Sequence, residues 1–300
     1  MRMFYKELLN YPLFPLFILL AFLCINAFSN DVDYYSPENI LKFADHLYQQ
    51  GDYIRSAKEY ERYMISCPNE SDKVLYKIGL CYRYTNETDK AISIFQKIVN
   101  DYPNSELKFS ANFQIGYIYF ISGQYKNSQS YIYDLSKREL TIDQRKKLDI
   151  LSTLNHLKQR EWRLANELIR NSPDQLSEDQ NIDRILFDLK KISFDGVNRK
   201  HKSRFWASFM SAIVPGVGKI YCQQYGNGFF SFITVSSTGF LAYNGFKENG
   251  LKSVKGWIFG SLFSIFYAGN IYGSGISALA YNDYVENEII IRLPLLPDDW

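Results

Sequence analysis

Between Leu75 and Pro103 apolar residues recur at helical spacing in two runs, first Leu75, Ile78, Gly79 and Tyr82, then Ala91, Phe95 and Ile98. Asn86 to Asp89 interrupts the runs and Pro103 closes the second, which predicts two antiparallel helices crossing at the small residues Gly79 and Ala91. The same pattern precedes this pair. Ser36-Pro37 reads as a helix opening, because the hydroxyl can cap free amides and proline at the first position loses no needed donor. Ile40, Phe43, Ala44 and Leu47 then form one stripe, Gly51-Asp52-Tyr53 a turn, and Ser56, Tyr60 and Tyr63 a second stripe before Pro68. A third copy has Ile115, Gly116 and Tyr119, then Gly123-Gln124-Tyr125, then Ser128, Ile132 and Leu135. The small positions Ala44, Gly79 and Gly116 are 35 and 37 residues apart. A degenerate fourth copy runs from Leu148 to Pro173 with Leu151, Leu154, Trp162, Ala165 and Ile169, but Thr153 replaces the small residue and Arg160 the turn glycine.

Ser177-Glu178-Asp179-Gln180 reads as a capping box that opens a helix through Ile182, Ile185, Leu186, Leu189 and Ile192, whose polar outer face would seal the stack. One repeat cannot bury its own stripe, so stacked neighbours supply the core. The order large, large, small, large, followed by small, aromatic, apolar, proline, resembles a tetratricopeptide repeat. The resemblance implies a solenoid whose first helices line a concave surface that holds another protein or a peptide. The residues expected there are Leu41, Asp45 and Tyr48, then Tyr76, Leu80 and Arg83, then Phe113, Tyr117 and Phe120. Rigid rings add contact area at low entropic cost, which suits an extended or helical peptide. Repeats that grip a C-terminal carboxylate carry Lys and Asn where Leu41 and Asp45 stand, so that subclass is not expected.

Past residue 197 the pattern changes. Asn198 to Arg204 is a basic run, and beyond it Gly228–Phe246 and Trp257–Leu279 are stretches of 19 and 23 residues without a charge. As helices they would be about 28 and 34 Å long, enough for a bilayer core. The expected fold is therefore all-α, a tetratricopeptide-type helical-hairpin solenoid followed by a transmembrane helical hairpin. Six polar residues, Ser231, Thr234, Ser236, Ser237, Thr238 and Asn244, dilute the first stretch, and a buried hairpin is the alternative. Gly256 and Gly260, and then Gly269, Gly273 and Ser277, recur every four residues within each group and form a face for close helix packing, self-association between chains being its rival use. Asn270 on the second stretch reads as an interhelical hydrogen bond. Pro215-Gly216-Val217-Gly218-Lys219-Ile220-Tyr221 resembles the entry of a small bacterial membrane module, in which many members carry glutamine where Lys219 stands. Because Ile220 follows Lys219, this is not a phosphate loop, and a re-entrant or interfacial turn is expected.

Arg2 and Lys6 ahead of the apolar run Pro12 to Phe28, with Ala27-Phe28-Ser29 behind it, predict a signal peptide over 1–29, an uncleaved anchor being the alternative. Leu23 directly before Cys24 fits a lipoprotein cleavage box poorly. The remaining divisions are a repeat array over 36–197, a basic linker over 198–204, a membrane module over 205–281 and an acidic tail over 282–300. Charge placement puts the repeats outside the cell and Lys247, Lys252 and Lys255 inside, with the run Arg199 to Arg204 dissenting.

Composition adds exclusions. A net charge of +2 argues against a nucleic-acid binder, and the four cysteines and three histidines show no metal-like spacing. Cys67 and Cys81 fall in successive repeats and read as two buried thiols, or else as a bridge outside the cytoplasm. No motif ties a nucleophile or carboxylate pair to a pocket, so neither an enzyme nor a cofactor is expected. The reading is a membrane-anchored scaffold binding protein partners at the bacterial envelope. Its rivals are a membrane-active pore or export helper and a binder of cell-wall glycan.

Overall fold

The computed structural model describes residues 33, 35–67, 71–297 and 300, and among these the chain is helical with no strand. The expected leader, Cys24, Pro68, Asp298 and Asp299 lie outside the described residues. Two compact units form, one ending at Ile118 and the other running Tyr119–Trp300.

In the first unit α1 (Pro37–Gln49) pairs with α2 (Tyr53–Ser66), and α3 (Ser71–Tyr84) with α4 (Thr88–Asp101), before α5 (Lys108–Ile121) begins. Ser36 caps α1 by accepting the Asn39 amide, with Pro37 at the first turn. Each pair closes over most of the stripe expected for it: Ile40, Ala44, Leu47, Tyr60 and Tyr63 are buried in the first while Phe43 is exposed, and Leu75, Ile78, Ala91, Phe95 and Ile98 are buried in the second. The small residues are small for a steric reason. A β-carbon on Gly79 would stand 2.7 Å from the Phe95 ring. At the preceding crossing the Ser56 hydroxyl donates to the Ala44 carbonyl at 2.9 Å, so a polar side chain is satisfied at full burial.

The second unit contains α6 (Tyr125–Ser136), α7 (Ile142–Lys158), α8 (Trp162–Arg170) and α9 (Gln180–Val197). The weak fourth copy is a real pair: Leu148, Leu151, Leu154, Trp162, Ala165 and Ile169 are all buried. Thr153 is tolerated at the crossing because its hydroxyl donates back to the Asp149 carbonyl at 2.7 Å. The capping box expected at Ser177 does not form there. The helix starts after Asp179, whose carboxylate takes the Asn181 amide, while Ser177 turns its amide and hydroxyl to Asp183. Asp183 is itself drawn to Lys146 of α7, at 2.7 Å. A reciprocal capping box does exist at Thr141 and Gln144, where the sequence reading placed none.

One residue in the left-handed region closes each pair: Gly51, Asn86, Gly123 and Arg160. Each turn carries the same two backbone bonds, for example Gly51 N–H to Tyr48 and Asp52 N–H to Leu47, the pattern of a Schellman ending. Gln223 repeats both bonds farther along, at the end of α11 (Val217–Tyr221).

The other C-terminal helices are α10 (Arg204–Ile213), α12 (Tyr225–Asn249) and α13 (Val254–Ile290). The outer face of α9 is not the polar seal that was expected. Phe187 and Phe194 are exposed on it, and Asp195 pairs with Arg292, just past the end of α13. Nor does the tail simply trail away, since Leu296 and Trp300 are buried and Lys147 of α7 lies over the Trp300 ring.

Candidate functional site

In the first unit Asp45 accepts from Tyr60 and from Lys77 of the next pair, both at 2.5 Å, so it ties consecutive repeats together. Burial and the neighbouring Asp45 carboxylate push the Tyr60 phenol well above the usual tyrosine range. The other expected groove residues divide by burial. Tyr76, Leu80, Arg83 and Phe113 are buried, Phe113 to 1% exposure. Arg83 donates to Gln114 at 2.6 Å, Gln114 donates to the Tyr76 hydroxyl at 3.4 Å, and the Arg83 guanidinium lies over the rings of Tyr84 and Tyr117. These residues pack the interior of the unit instead of presenting a free surface. Leu41, Tyr48 and Tyr117 are half-buried, and so is Phe120 in the second unit. Tyr48 meets Tyr53 and Tyr84 edge-on, and those two rings stack at 4.3 Å. Tyr48, Tyr53 and Tyr84 thus form a partly exposed aromatic cluster in the first unit.

The C-terminal helices are organised around Asn270. Its side-chain oxygen accepts from Gly216 N–H and its amide donates to the Ser211 carbonyl, both at 3.1 Å, so it pins the turn between α10 and α11. Ser211 meets the Ser274 hydroxyl at 2.6 Å and takes the Gly218 amide, while Tyr267 donates to Ala212. The expected interhelical bond thus forms, but to backbone at a broken helix. Pro215-Gly216 supplies the break: Gly216 has φ of 86°, and a β-carbon there would meet the Gly228 carbonyl oxygen at 2.0 Å.

The glycine face divides in two. At Gly256 a β-carbon would reach the Phe246 ring at 2.7 Å, and one on Gly245 would strike the Gly256 backbone at 2.6 Å, so α12 and α13 touch here. Gly260 makes only ordinary contact with Phe246. At Gly269 nothing lies within 4 Å, and Gly273 faces the Lys219 side chain. Ser277 donates to Gln224 in the turn before α12. The lower half of the face opens instead onto a cavity of about 400 Å³ lined by Lys219, Phe230, Ser231, Val235, Phe266 and Gly269.

Polarity here is inverted. Ser211, Ser231, Thr238, Asn270, Ser274 and Ser277 are buried, while Phe205, Trp206, Phe229, Phe230, Phe240 and Ile265 are exposed. Even so, no helix among the described residues is long and apolar enough to cross a membrane. This corrects the expected pair of spans. Helices α12 and α13 have 25 and 37 residues, and what they lack is apolarity: serine, threonine, glycine and asparagine occupy the face that packs inward. The basic linker is partly consumed as well. Arg199 pairs with Glu286, and Lys202 lies over Tyr221 while its backbone exchanges two bonds with Asn282, leaving Lys200, His201 and Arg204 exposed.

Arg160, which the sequence shows only as a lost turn glycine, holds α13. Its guanidinium bonds Asp283 at 2.9 Å and Glu286 at 2.8 Å, and Arg199 takes the other oxygen of Glu286. Among the described residues no cluster of three His, Cys, Asp or Glu could hold a metal ion. No curated protein matches the chain. Residues 73–105 match the tetratricopeptide repeat family, and with the stacked helix pairs this match supports a tetratricopeptide repeat protein, the kind of array that serves as a protein-interaction scaffold.

Proposed function

We propose that this chain is a non-catalytic scaffold whose repeat array holds a protein partner while its C-terminal helices seat it on a lipid membrane. The match over residues 73–105 and the uniform turns at Gly51, Asn86, Gly123 and Arg160 support the scaffold. The partner meets the rim of the first unit at Leu41, Tyr48 and Tyr117. Tyr76→Ala or Phe113→Ala would test packing and not binding, since both side chains are buried. A photo-crosslinking residue at Tyr48 or Tyr117 of the full chain, compared with one at the outward-facing Lys58, tests the rim. A defined adduct from the rim and none from residue 58 is expected, and equal labelling from all positions overturns it.

Lipid seating rests on the inverted polarity. Phe205, Trp206 and Phe209 form one exposed aromatic cluster next to Arg204 and Lys200. Each ring that reaches hydrocarbon contributes about 1.5–3 kcal/mol, so three match the reversible binding that one acyl chain provides. Full chain mixed with vesicles of phosphatidylcholine and phosphatidylglycerol should float with them. Replacing all three rings with serine should return it to the pellet fraction. A wild-type chain that never floats removes the lipid reading and leaves the scaffold reading standing.

A further inference from the structure

The cavity under Gly269 has an unusual wall. Lys219 reaches it from α11, half-buried, and its ammonium donates to the Ser231 hydroxyl at 2.8 Å. Among the described residues no carboxylate pairs with it, and burial alone pushes the group below the usual lysine range. A partly desolvated cation is costly without a counter-charge. The rest of the wall is mostly apolar, with Phe230, Val235, Ile265 and Phe266 beside it, and Asn270 already spends both ends of its amide on backbone. The volume of about 400 Å³ falls in the ordinary range for small-molecule sites.

We infer that this cavity binds a single acyl chain ending in a carboxylate, the head on Lys219 and Ser231 and the chain along Phe230, Val235, Ile265 and Phe266. One ammonium faces one negative charge, which matches a carboxylate better than a doubly charged phosphate monoester. Ser231 accepts from Lys219 and keeps its own proton to donate to the second carboxylate oxygen. A side chain at Gly269 would project into the channel, since its β-carbon position lines the cavity and has no neighbour within 4 Å. Occupancy of the cavity is separate from seating on a membrane, so the two stand or fall in different experiments.

The test is native mass spectrometry of the full chain, delipidated and then titrated with palmitate, hexadecanol or inorganic phosphate. Palmitate should bind one to one, with hexadecanol and phosphate each weaker by about tenfold or more, the range of a charge-assisted hydrogen bond. Lys219→Gln should weaken palmitate by a similar factor and Lys219→Arg should restore most of it. Gly269→Leu should abolish it, with helical content checked by circular dichroism. Palmitate binding equally to wild type and Lys219→Gln overturns the assignment, as does binding that survives Gly269→Leu in a folded protein. Phosphate binding as tightly as palmitate also overturns it, because the acyl channel would then contribute nothing. A chain that floats with vesicles but ignores palmitate sinks the cavity reading alone.

Discussion

Glu286 should matter more than the arginine that reaches it. Its side chain is only 10% exposed and receives Arg160 at 2.8 Å on one oxygen and Arg199 at 2.9 Å on the other. Breaking a fully buried pair by removing one partner costs about 3–5 kcal/mol, and an exposed pair under about 1. This site lies between those limits. Arg160 is 41% exposed and keeps Asp283, while Arg199 is 23% exposed and keeps its bond to the Gly196 carbonyl and its place over Trp162. Glu286→Gln should therefore cost about 2 kcal/mol. Arg160→Gly is a contest of signs. Arginine at φ of 62° stores about 1 kcal/mol of backbone strain that glycine releases, and the two ion pairs that the half-exposed guanidinium gives up, to Asp283 and Glu286, are together worth about the same. Its net effect should lie within about 0.5 kcal/mol of zero. Hydrogen exchange of the full chain reads both changes. Peptides covering α9 and the end of α13 should exchange roughly thirty-fold faster in Glu286→Gln, because about 1.4 kcal/mol is a factor of ten when opening is in fast equilibrium. In Arg160→Gly they should change by no more than about two- to threefold. Equal acceleration in the two variants would refute the reasoning, since the guanidinium would then outweigh both the strain and the carboxylate.

Three other outcomes follow from the same geometry. Gly79→Ala drives a methyl group to 2.7 Å from the ring of the fully buried Phe95, an overpacking cost of about 1–3 kcal/mol that a lowered thermal midpoint of the first unit should report. Burial pushes the Cys81 thiol up to about 11, so mass mapping after alkylation at pH 8 should find Cys81 unmodified in the native chain and the half-buried Cys67 labelled. The hydrogen bond from Lys146, and then those from Ser177, hold the Asp183 carboxyl below its ordinary value. A depressed folded value means the contribution is full above about pH 4, where the unfolded carboxyl is ionised, and is lost as pH falls through the folded value. Asp183→Asn should therefore destabilise α9 at pH 7 and make little difference near pH 2, measured by urea denaturation at both.

The candidate site was legible only in part. Helical spacing marks which side of α3 or α5 is apolar, but not whether that side meets solvent. Tyr76 and Phe113 therefore read as contact residues when they pack the interior with Arg83 and Gln114. Lys219 was visible only as a departure from the glutamine of the module it resembles, in a turn that Ile220 bars from being a phosphate loop. Its cavity exists because Gly269 and Ser231, nearly forty positions apart, come together across two helices. For the C-terminal stretches, freedom from charge suggested spans, yet the polar residues that face inward leave the helices too dilute for that assignment.

By itself the sequence determined the helix pairs, their period and their crossings. Those depend on contacts between residues a few turns apart, where the size of Ala44, Gly79 or Ala91 sets how closely two axes approach. Tertiary structure decided which faces remain open, and why Arg160 occupies a position that prefers glycine. Its reward lies at Glu286, 126 residues away, and a local pattern carries no record of a partner that only folding brings within 3 Å.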